Sequence, residues 1–131
     1  MPIATTAATR PFAVAAAKIC DSKKASDIVV LDVRKLTTIS DWFVVCSVTN
    51  ERQSRAIADQ LRVSMRDEEG LRELGVEGIQ DGRWILQDFG AVVVHVFHES
   101  QRGFYDIEGL WADAPRLKWA PAPAKKKAKK A

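Results

Sequence analysis

Histidine and carboxylate side chains cluster between residues 88 and 99, and these residue types bind metals or transfer protons. The cluster contains Asp88, His95, His98 and Glu99. On a strand, side chains alternate between the two faces, so His95 and His98 point in opposite directions. A metal site needs convergent ligands, and this spacing argues against one. We therefore predict no metal or other cofactor, and expect His95 to be half-buried and hydrogen-bonded by a neighbour.

Other catalytic residue types are no better placed. Cys46 lies in an apolar run with no basic neighbour to activate its thiol, which is typical of a core residue. Asp27 and Asp32 are an odd number of positions apart and should face opposite sides of a strand. Asp41 precedes a predicted strand and is interpreted as a turn cap. No Gly-rich phosphate loop is present.

The composition is that of one domain with tails. The chain has 131 residues, of which 47% are hydrophobic and 28% charged, as in ordinary soluble proteins. No apolar run reaches the roughly 18 residues that a membrane span requires. The only cysteines, Cys20 and Cys46, form no disulfide framework. We expect a cytoplasmic protein without a membrane partner.

Charge is distributed unevenly along the chain. Seven of the twenty basic residues follow Pro115, where no acidic residue occurs. Residues 1–114 therefore carry thirteen basic against seventeen acidic residues. Acidic residues also dominate residues 75–114, the part that contains the cluster. Such a face favours a basic protein partner over direct binding of nucleic acid.

Hydrophobic periodicity predicts the elements that position these residues. Gly90 marks a hairpin turn, because glycine tolerates the positive φ that a tight turn needs. Asn50 and Gln53 form a capping-box pattern before a helix that Gly70 ends. The fold class is α/β, a two-layer domain with a mixed β-sheet flanked by helices. The expected elements are a helix over Pro11–Asp21, strands over Ile28–Val33 and Trp42–Val48, the Asn50 helix, an edge strand over Val76–Ile79, a hairpin from Trp84 and a closing helix carrying Phe104, Ile107 and Trp111.

Three regions follow from this pattern. Residues 1–10 are expected to be a flexible N-terminus, residues 11–114 the domain and residues 115–131 a basic disordered tail. Trp84, Tyr105 and Trp111 have the spacing of core aromatics, but they also match the aromatic anchors of a protein interface. An interface requires at least two of them to be partly exposed.

From about Phe12 to Trp111 the sequence resembles the Iojap family of ribosomal silencing factors. The densest match is an ordered set at the family's spacing. Its members are Trp84, Asp88, Gly90, Val94, His95, Val96, Glu99, Arg102, Tyr105, Glu108, Leu110 and Trp111. Weaker matches include Asp27, Asp32, Asp41, Asn50 to Gln53 and Glu77-Gly78. Two residues depart from the pattern, Ala91 in place of an aspartate and Val48 in place of a glycine.

The resemblance implies a non-enzymatic repressor of translation under nutrient limitation. Such proteins bind the large ribosomal subunit through large-subunit ribosomal protein fourteen and sterically block its association with the small subunit. The resemblance also implies that the protein is a homodimer when it is not bound to the ribosome. It further implies a nucleotidyltransferase-like topology without the catalytic residues. The residues that would form or brace the docking face are Trp84, Asp88, His95, Arg102, Tyr105, Glu108 and Trp111.

Two alternatives stay open at this point. The fold kinship alone suggests a nucleotidyltransferase-like, nucleotide-binding enzyme, which would need Mg²⁺ and nucleotide near Asp27, Asp32 or Asp41. The Lys-rich tail could instead make a weak, salt-sensitive contact with ribosomal RNA. That tail offers no aromatic residue after Trp119 for stacking on bases.

Overall fold

A six-stranded sheet forms the centre of the protein in a computed structural model. The structure describes residues 6–119, without the side chains of residues 6–8, 104 and 105. The elements are helix α1 (Thr6–Ser22), strands β1 (Ser26–Asp32) and β2 (Trp42–Val48), helix α2 (Glu51–Glu69), strands β3 (Gly75–Glu77), β4 (Trp84–Asp88) and β5 (Val92–His98), helices α3 (Glu99–Tyr105) and α4 (Ile107–Leu110), and strand β6 (Arg116–Leu117).

The sheet is mixed, as predicted. The strand order is β3-β4-β5-β2-β1-β6. Strands β2 and β5 pair in parallel from Trp42–Val92 to Val48–His98, and every other pairing is antiparallel. All seven residues of β2 are buried, which explains its continuous apolar sequence. The α/β class and the mixed sheet are thus confirmed.

Helices α1 and α2 cover one face of this sheet. On α2, the buried residues recur at three- and four-residue steps and face the strands. The backbone N–H of Gln53 donates to Asn50 Oδ1 over 2.8 Å, which confirms the predicted cap. In a capping box, the side chain of Gln53 would accept from the backbone N–H of Asn50. Here Gln53 Oε1 accepts from the backbone N–H of Thr49 instead. Within residues 6–119, no helix is both long and apolar enough to cross a membrane.

The opposite face, which we call the open face, carries no long helix. Its residues form a second buried cluster that includes Leu31, Phe43, Val93 and Phe97. The short helices α3 and α4 pack beside it, and Ile107 enters the cluster from α4. Large side chains of the sheet itself supply much of the remaining cover. This face is where most of the predicted site residues lie.

Both ends of the folded part extend beyond the predicted domain of residues 11–114. Residues 6–10, expected to be flexible, form the start of α1. Thr9 holds that end in place, because its hydroxyl donates to Asp41 Oδ2 over 2.8 Å and accepts from Trp42 Nε1 over 3.0 Å. At the other end, β6 pairs with β1, and Trp119 donates to the carbonyl of Ile28. Residues 120–131, the rest of the predicted tail, lie outside the described part.

The predicted closing helix is divided in two. Asp106 adopts a left-handed conformation, with φ 46°, between α3 and α4. Its backbone N–H caps α3 by donating to the carbonyl of Arg102, and its side chain accepts from the N–H of Gly109. One aspartate therefore ends the first helix and begins the second. The regular spacing of Phe104, Ile107 and Trp111 did not reveal this break, because aspartate is also tolerated within helices.

Candidate functional site

A row of aromatic rings crosses the open face from α4 to β4. The ring of Trp111 meets the ring of Phe43 edge-on, with centroids 5.2 Å apart. Phe43 meets His95 at the same distance, and His95 lies 6.2 Å from Trp84. Trp84 stacks on Phe97 at 4.9 Å. We call these five rings the aromatic row. Edge-on and stacked contacts of this kind add stability beyond the area they bury.

His95 lies at the centre of the row and is more buried than predicted. Only 5% of its surface is exposed. Its Nδ1 accepts a hydrogen bond of 3.3 Å from Nε1 of Trp84, which confirms the expected bond from a neighbour. Burial lowers the pKa of His95 to about 4, because the charged imidazolium would lose its hydration. The imidazole is therefore neutral at physiological pH and cannot serve as a cationic contact.

The two tryptophans at the ends of the row are only half-buried. Trp84 and Trp111 thus meet the requirement that at least two anchor aromatics be partly exposed. Beside Trp111, Leu110 is 73% exposed on α4. Leu110 was not among the predicted site residues. Its place in the matching pattern, next to a tryptophan, was the available signal. An exposed leucine adjoining half-exposed tryptophans is a feature of protein docking surfaces.

Arg102 and Glu108 brace this surface from the side. The Nε and Nη2 atoms of Arg102 donate to the two carboxylate oxygens of Glu108 over 3.0 and 2.8 Å. Its Nη1 donates to Oγ of Ser47 on β2 over 2.8 Å. The guanidinium thereby lowers the pKa of Glu108 and ties α3, α4 and the sheet together. Both charges are used within the chain, so their role is to hold the helices in position.

Asp88 lies at the hairpin end of the open face. Its Oδ1 accepts from the backbone N–H of Gly90 over 2.8 Å, which stabilises the β4–β5 turn. Gly90 has the positive φ expected there, 85°. Of the two residues that depart from the family pattern, Ala91 lies in the β4–β5 turn and Val48 lies in β2. Ala91 accepts backbone hydrogen bonds from Asp41 and Trp42, and Val48 is the buried last residue of β2.

The seven predicted residues therefore occupy different kinds of position in the structure. Trp84, His95 and Trp111 belong to the aromatic row, while Arg102 and Glu108 support it. Asp88 stands in the turn, and the side chain of Tyr105 lies outside the described part of the chain. His98, considered above as a ligand, instead caps α3 by accepting from the N–H of Ser100 over 3.1 Å.

Two of the three carboxylates considered for nucleotide binding, Asp32 and Asp41, are engaged in structural contacts. Asp32 accepts a two-pronged ion pair from Arg34, which lowers the pKa of its carboxyl. Asp41 accepts from Thr9, which differs from the predicted turn cap because the bond joins α1 to β2. Among residues 6–119, no group of three or more His, Cys, Asp or Glu side chains is placed to hold a metal ion.

The two cysteines are closer than the sequence indicates. Both are completely buried between α1 and the sheet, in accord with the prediction for Cys46. Hydrogen bonding to the Cys46 thiol, together with burial, raises the pKa of the Cys20 thiol. The Cys20 thiol is therefore a protonated core group, and Cys46 is buried beside it. Strand β1 separates them in the sequence, which gave no sign of this contact.

Comparison with known proteins identifies the family. The sequence model described as "Ribosomal silencing factor during starvation" matches residues 6–131. The chain is 42% identical over 100 residues to the ribosomal silencing factor RsfS of Bacillus subtilis, covering 76% of this chain and 84% of that protein. It is 36% identical over 105 residues to the chloroplastic protein Iojap of Zea mays, covering 79% of this chain and 44% of the longer plant protein.

Solved structures agree with this assignment. A crystal structure of a protein from Chromobacterium violaceum has a TM-score of 0.71 at 36% identity and covers 84% of this chain and 90% of that one. A second, from Bacillus halodurans, has a TM-score of 0.67 at 37% identity, with coverage of 79% and 92%. The names of the relatives describe a regulatory protein rather than an enzyme. The fold, the aromatic row and these relatives together show that the chain belongs to the family of ribosomal silencing factors.

Proposed function

We propose that this protein binds the large ribosomal subunit through large-subunit ribosomal protein fourteen and sterically prevents the small subunit from joining. Binding represses translation when nutrients are limited, and no reaction is catalysed. The open face is the docking surface. The observation that carries this assignment is the pair of half-exposed tryptophans, Trp84 and Trp111, fixed at the two sides of a buried histidine beside the exposed Leu110.

The aromatic row suits an anchor for a protein partner. Tryptophan is enriched among the residues that dominate interface energies, especially where the ring is already held by its neighbours. Trp84 is held by Phe97 and His95, and Trp111 by Phe43. These side chains lose little conformational entropy on binding because their positions are already fixed. A specific complex would then bury roughly 1,200–2,000 Å² in total.

Charge around the row fits a basic partner. Glu77, on the strand next to β4, is exposed and shares the open face with its partner Leu86. Three further exposed acids, Glu99, Asp106 and Asp113, lie on or beside α3 and α4. Two nearby cations, Arg102 and Arg83, are paired with Glu108 and Asp81, while Arg116 lies beside Glu108. An acidic rim of this kind speeds encounter with a basic ribosomal protein and opposes direct contact with RNA phosphates.

Co-sedimentation with purified large subunits tests the docking surface. The wild-type protein is expected to travel with the subunit on a density gradient. Leu110→Asp combined with Trp84→Ala should abolish this, since the pair removes an anchor ring and places a charge in the apolar contact. Val63→Asp is the matched control, because Val63 is an exposed apolar residue on α2, across the sheet.

A second measurement tests the steric step. Light scattering follows the joining of small and large subunits, and a saturating amount of wild-type protein should suppress it while the double variant should not. If the double variant co-sediments as well as the Val63→Asp control, the open face is not the docking surface. If the wild-type protein binds large subunits and joining still proceeds, the blocking mechanism fails.

Two further properties are proposed from the same family membership. The free protein is a homodimer that dissociates or rearranges on the ribosome, and it acts in the cytoplasm. Sedimentation equilibrium of the purified chain gives the oligomeric state. Fractionation of cells that express the chain gives its compartment.

A further inference from the structure

Helices α3 and α4 are separated by a single residue, Asp106, and the chain bends there. Asp106 has φ 46° and ψ 54°, in the left-handed region that residues other than glycine rarely occupy. Aspartate is one of the usual exceptions, because its short polar side chain can bond to the backbone nearby. An outlier of this kind persists only where the surrounding contacts fix it, and such positions are common at functional sites.

Backbone and side-chain hydrogen bonds hold Asp106 in this conformation. Its N–H donates to the carbonyl of Arg102 over 2.9 Å, which ends α3. Its carbonyl accepts from the N–H of Leu110, and its Oδ1 accepts from the N–H of Gly109, each over 3.1 Å. Gly109 is matched to this cap, because a Cβ there would overlap the carboxylate of Asp106. One residue thus sets the angle between the two helices.

An ion pair across the bend supports the same arrangement. Arg102 on α3 donates to both carboxylate oxygens of Glu108 on α4, over 3.0 and 2.8 Å. In one continuous helix, residues six positions apart would lie about 9 Å apart along the axis and about 120° apart around it. Only residues three or four positions apart face each other on such a helix. The two-pronged contact therefore requires the bend.

The bend also sets the direction in which α4 leaves α3. In the bent form, Ile107 is buried in the cluster of the open face, and the ring of Trp111 meets Phe43 with centroids 5.2 Å apart. Leu110 remains exposed on the same short helix. Because α3 begins directly after β5, a straight continuation of α3 would carry all of α4 in another direction. The position of Leu110 beside Trp111 thus depends on residue 106.

The sequence around Asp106 is also compatible with a straight helix. No proline occurs between Glu99 and Trp111. Phe104, Ile107 and Trp111 have the spacing of one continuous helix. The bent form is therefore favoured by the contacts of Asp106 and by the Arg102–Glu108 pair, not by the periodicity of the segment.

We propose that Asp106 is the positioning residue of the docking surface, and that the protein binds its partner only in the bent form. Asp106 acts through α4, whose Leu110 and Trp111 it places on the open face. A straight helix over residues 99–111 is the alternative form, in which these two side chains leave that face. The role rests on the proposed function, since the open face is the docking surface of that proposal.

Co-sedimentation of the full-length chain with large subunits tests this role. Asp106→Ala removes the capping oxygen and disfavours the left-handed conformation, so affinity should fall about tenfold or more. Asp106→Asn is the matched variant, because asparagine also lacks the charge but keeps the cap and tolerates the left-handed region. It should keep affinity within about threefold of the wild type. Urea denaturation verifies that each variant is folded.

Fluorine NMR of the chain labelled with fluorotryptophan reports the bend without a ribosome. The resonances of Trp111 and Trp42 are assigned with the Trp111→Phe and Trp42→Phe variants. Asp106→Ala should shift the Trp111 resonance, because α4 moves relative to Phe43. The resonance of Trp42, in the cluster on the other side of the sheet, should stay in place. Asp106→Asn should shift neither.

The outcomes separate the bend from the charge and from the docking function. Equal losses of affinity in Asp106→Ala and Asp106→Asn would assign the effect to charge and overturn the role, as would full affinity in Asp106→Ala. An unchanged Trp111 resonance with normal wild-type binding overturns this role alone. A wild-type chain that does not bind large subunits overturns the docking function itself. If Asp106→Ala does not fold, Gly109→Ala takes its place with the same expected loss, since its Cβ displaces the capping carboxylate.

Discussion

The indole Nε1 of Trp84 donates a hydrogen bond of 3.3 Å to Nδ1 of His95, and this bond joins a half-buried ring to the buried core. Because Nδ1 accepts, the neutral imidazole carries its proton on Nε2. That second nitrogen is buried and bonds to none of the described residues. Protonation of Nδ1 would remove the acceptor of Trp84 and place an unpaired charge in the core. The aromatic row of the proposed docking surface is therefore linked to the protonation of one histidine.

Stability should fall as the pH drops from neutrality towards 4. His95 has a pKa of about 4 in the folded protein against 6.5 when unfolded, so in this range the unfolded chain binds more protons. The stabilising effect of the neutral imidazole is complete above pH 6.5 and is lost as the pH falls through the two values. Between the two pKa values of His95, the free energy of unfolding should fall by about 3 kcal/mol. Urea denaturation from pH 7.5 to 4.5 measures it.

His95→Gln provides the control for this pH dependence. Glutamine retains a side-chain acceptor but does not titrate, so its free energy of unfolding should change much less across the same range. The lowered pKa values of Asp32 and Glu108 act at lower pH, because their stabilising effect is lost only as the pH falls from the ordinary carboxyl values of 3.8 and 4.5 downwards. A slope in the His95→Gln variant equal to that of the wild type would contradict the assignment.

Trp84→Phe should destabilise the protein by about 1–3 kcal/mol although it preserves an aromatic ring. Phenylalanine can still stack on Phe97, but it cannot donate to Nδ1 of His95, which would remain buried without a partner. Thermal or urea denaturation measures the loss. The double variant Trp84→Phe with His95→Phe removes both polar groups and should recover part of it. Additive losses in that variant would show that the hydrogen bond contributes nothing.

Arg102→Lys should loosen α3 and α4 while keeping the charge. Lysine cannot bond both oxygens of Glu108 and Ser47 at once, because it lacks the planar fork. We expect a loss of about 1–2 kcal/mol in the free energy of unfolding. Arg62→Lys is the control, since the Arg62–Asp59 pair is largely exposed and should contribute less than about 0.5 kcal/mol. Equal effects would mean that the Arg102 network is no stronger than a surface ion pair.

Gly78→Ala should be far more damaging than Gly75→Ala, only three residues away. Gly78 has a φ of 86°, and a Cβ there would overlap the carbonyl oxygen of Trp84. Gly75 lies in an edge strand, with no atom within 4 Å of a Cβ. We expect a loss of more than about 2 kcal/mol for Gly78→Ala and a change within about 0.5 kcal/mol for Gly75→Ala. Urea midpoints compare the two, and similar values would contradict the steric argument.

Local sequence patterns predicted most of the elements. The β2 boundaries at Trp42 and Val48, the Asn50 cap and the Gly90 turn follow from local chemistry that no distant contact changes. The closing helix was less predictable, because its break depends on Asp106 adopting a left-handed conformation. Strand β6 was missed since two residues flanked by proline and lysine carry no periodic signal.

The contacts of the candidate site residues were not predictable from their spacing alone. Family spacing selected Trp84, His95 and Trp111, and the structure places them in one row of rings. Spacing could not distinguish Arg102, which bonds to Glu108 and Ser47 within the chain, from a residue that contacts a partner.

The parallel pairing of β2 with β5 has a consequence for synthesis of the chain. Strand β5 lies between β2 and β4 at the middle of the sheet, yet its residues are among the last of the domain to be made. Until Val92–His98 emerge, β2 lacks its neighbour on that side and the apolar surfaces of α1 and α2 have an incomplete sheet to cover. A nascent chain must therefore keep an open core until Val92–His98 have left the exit tunnel.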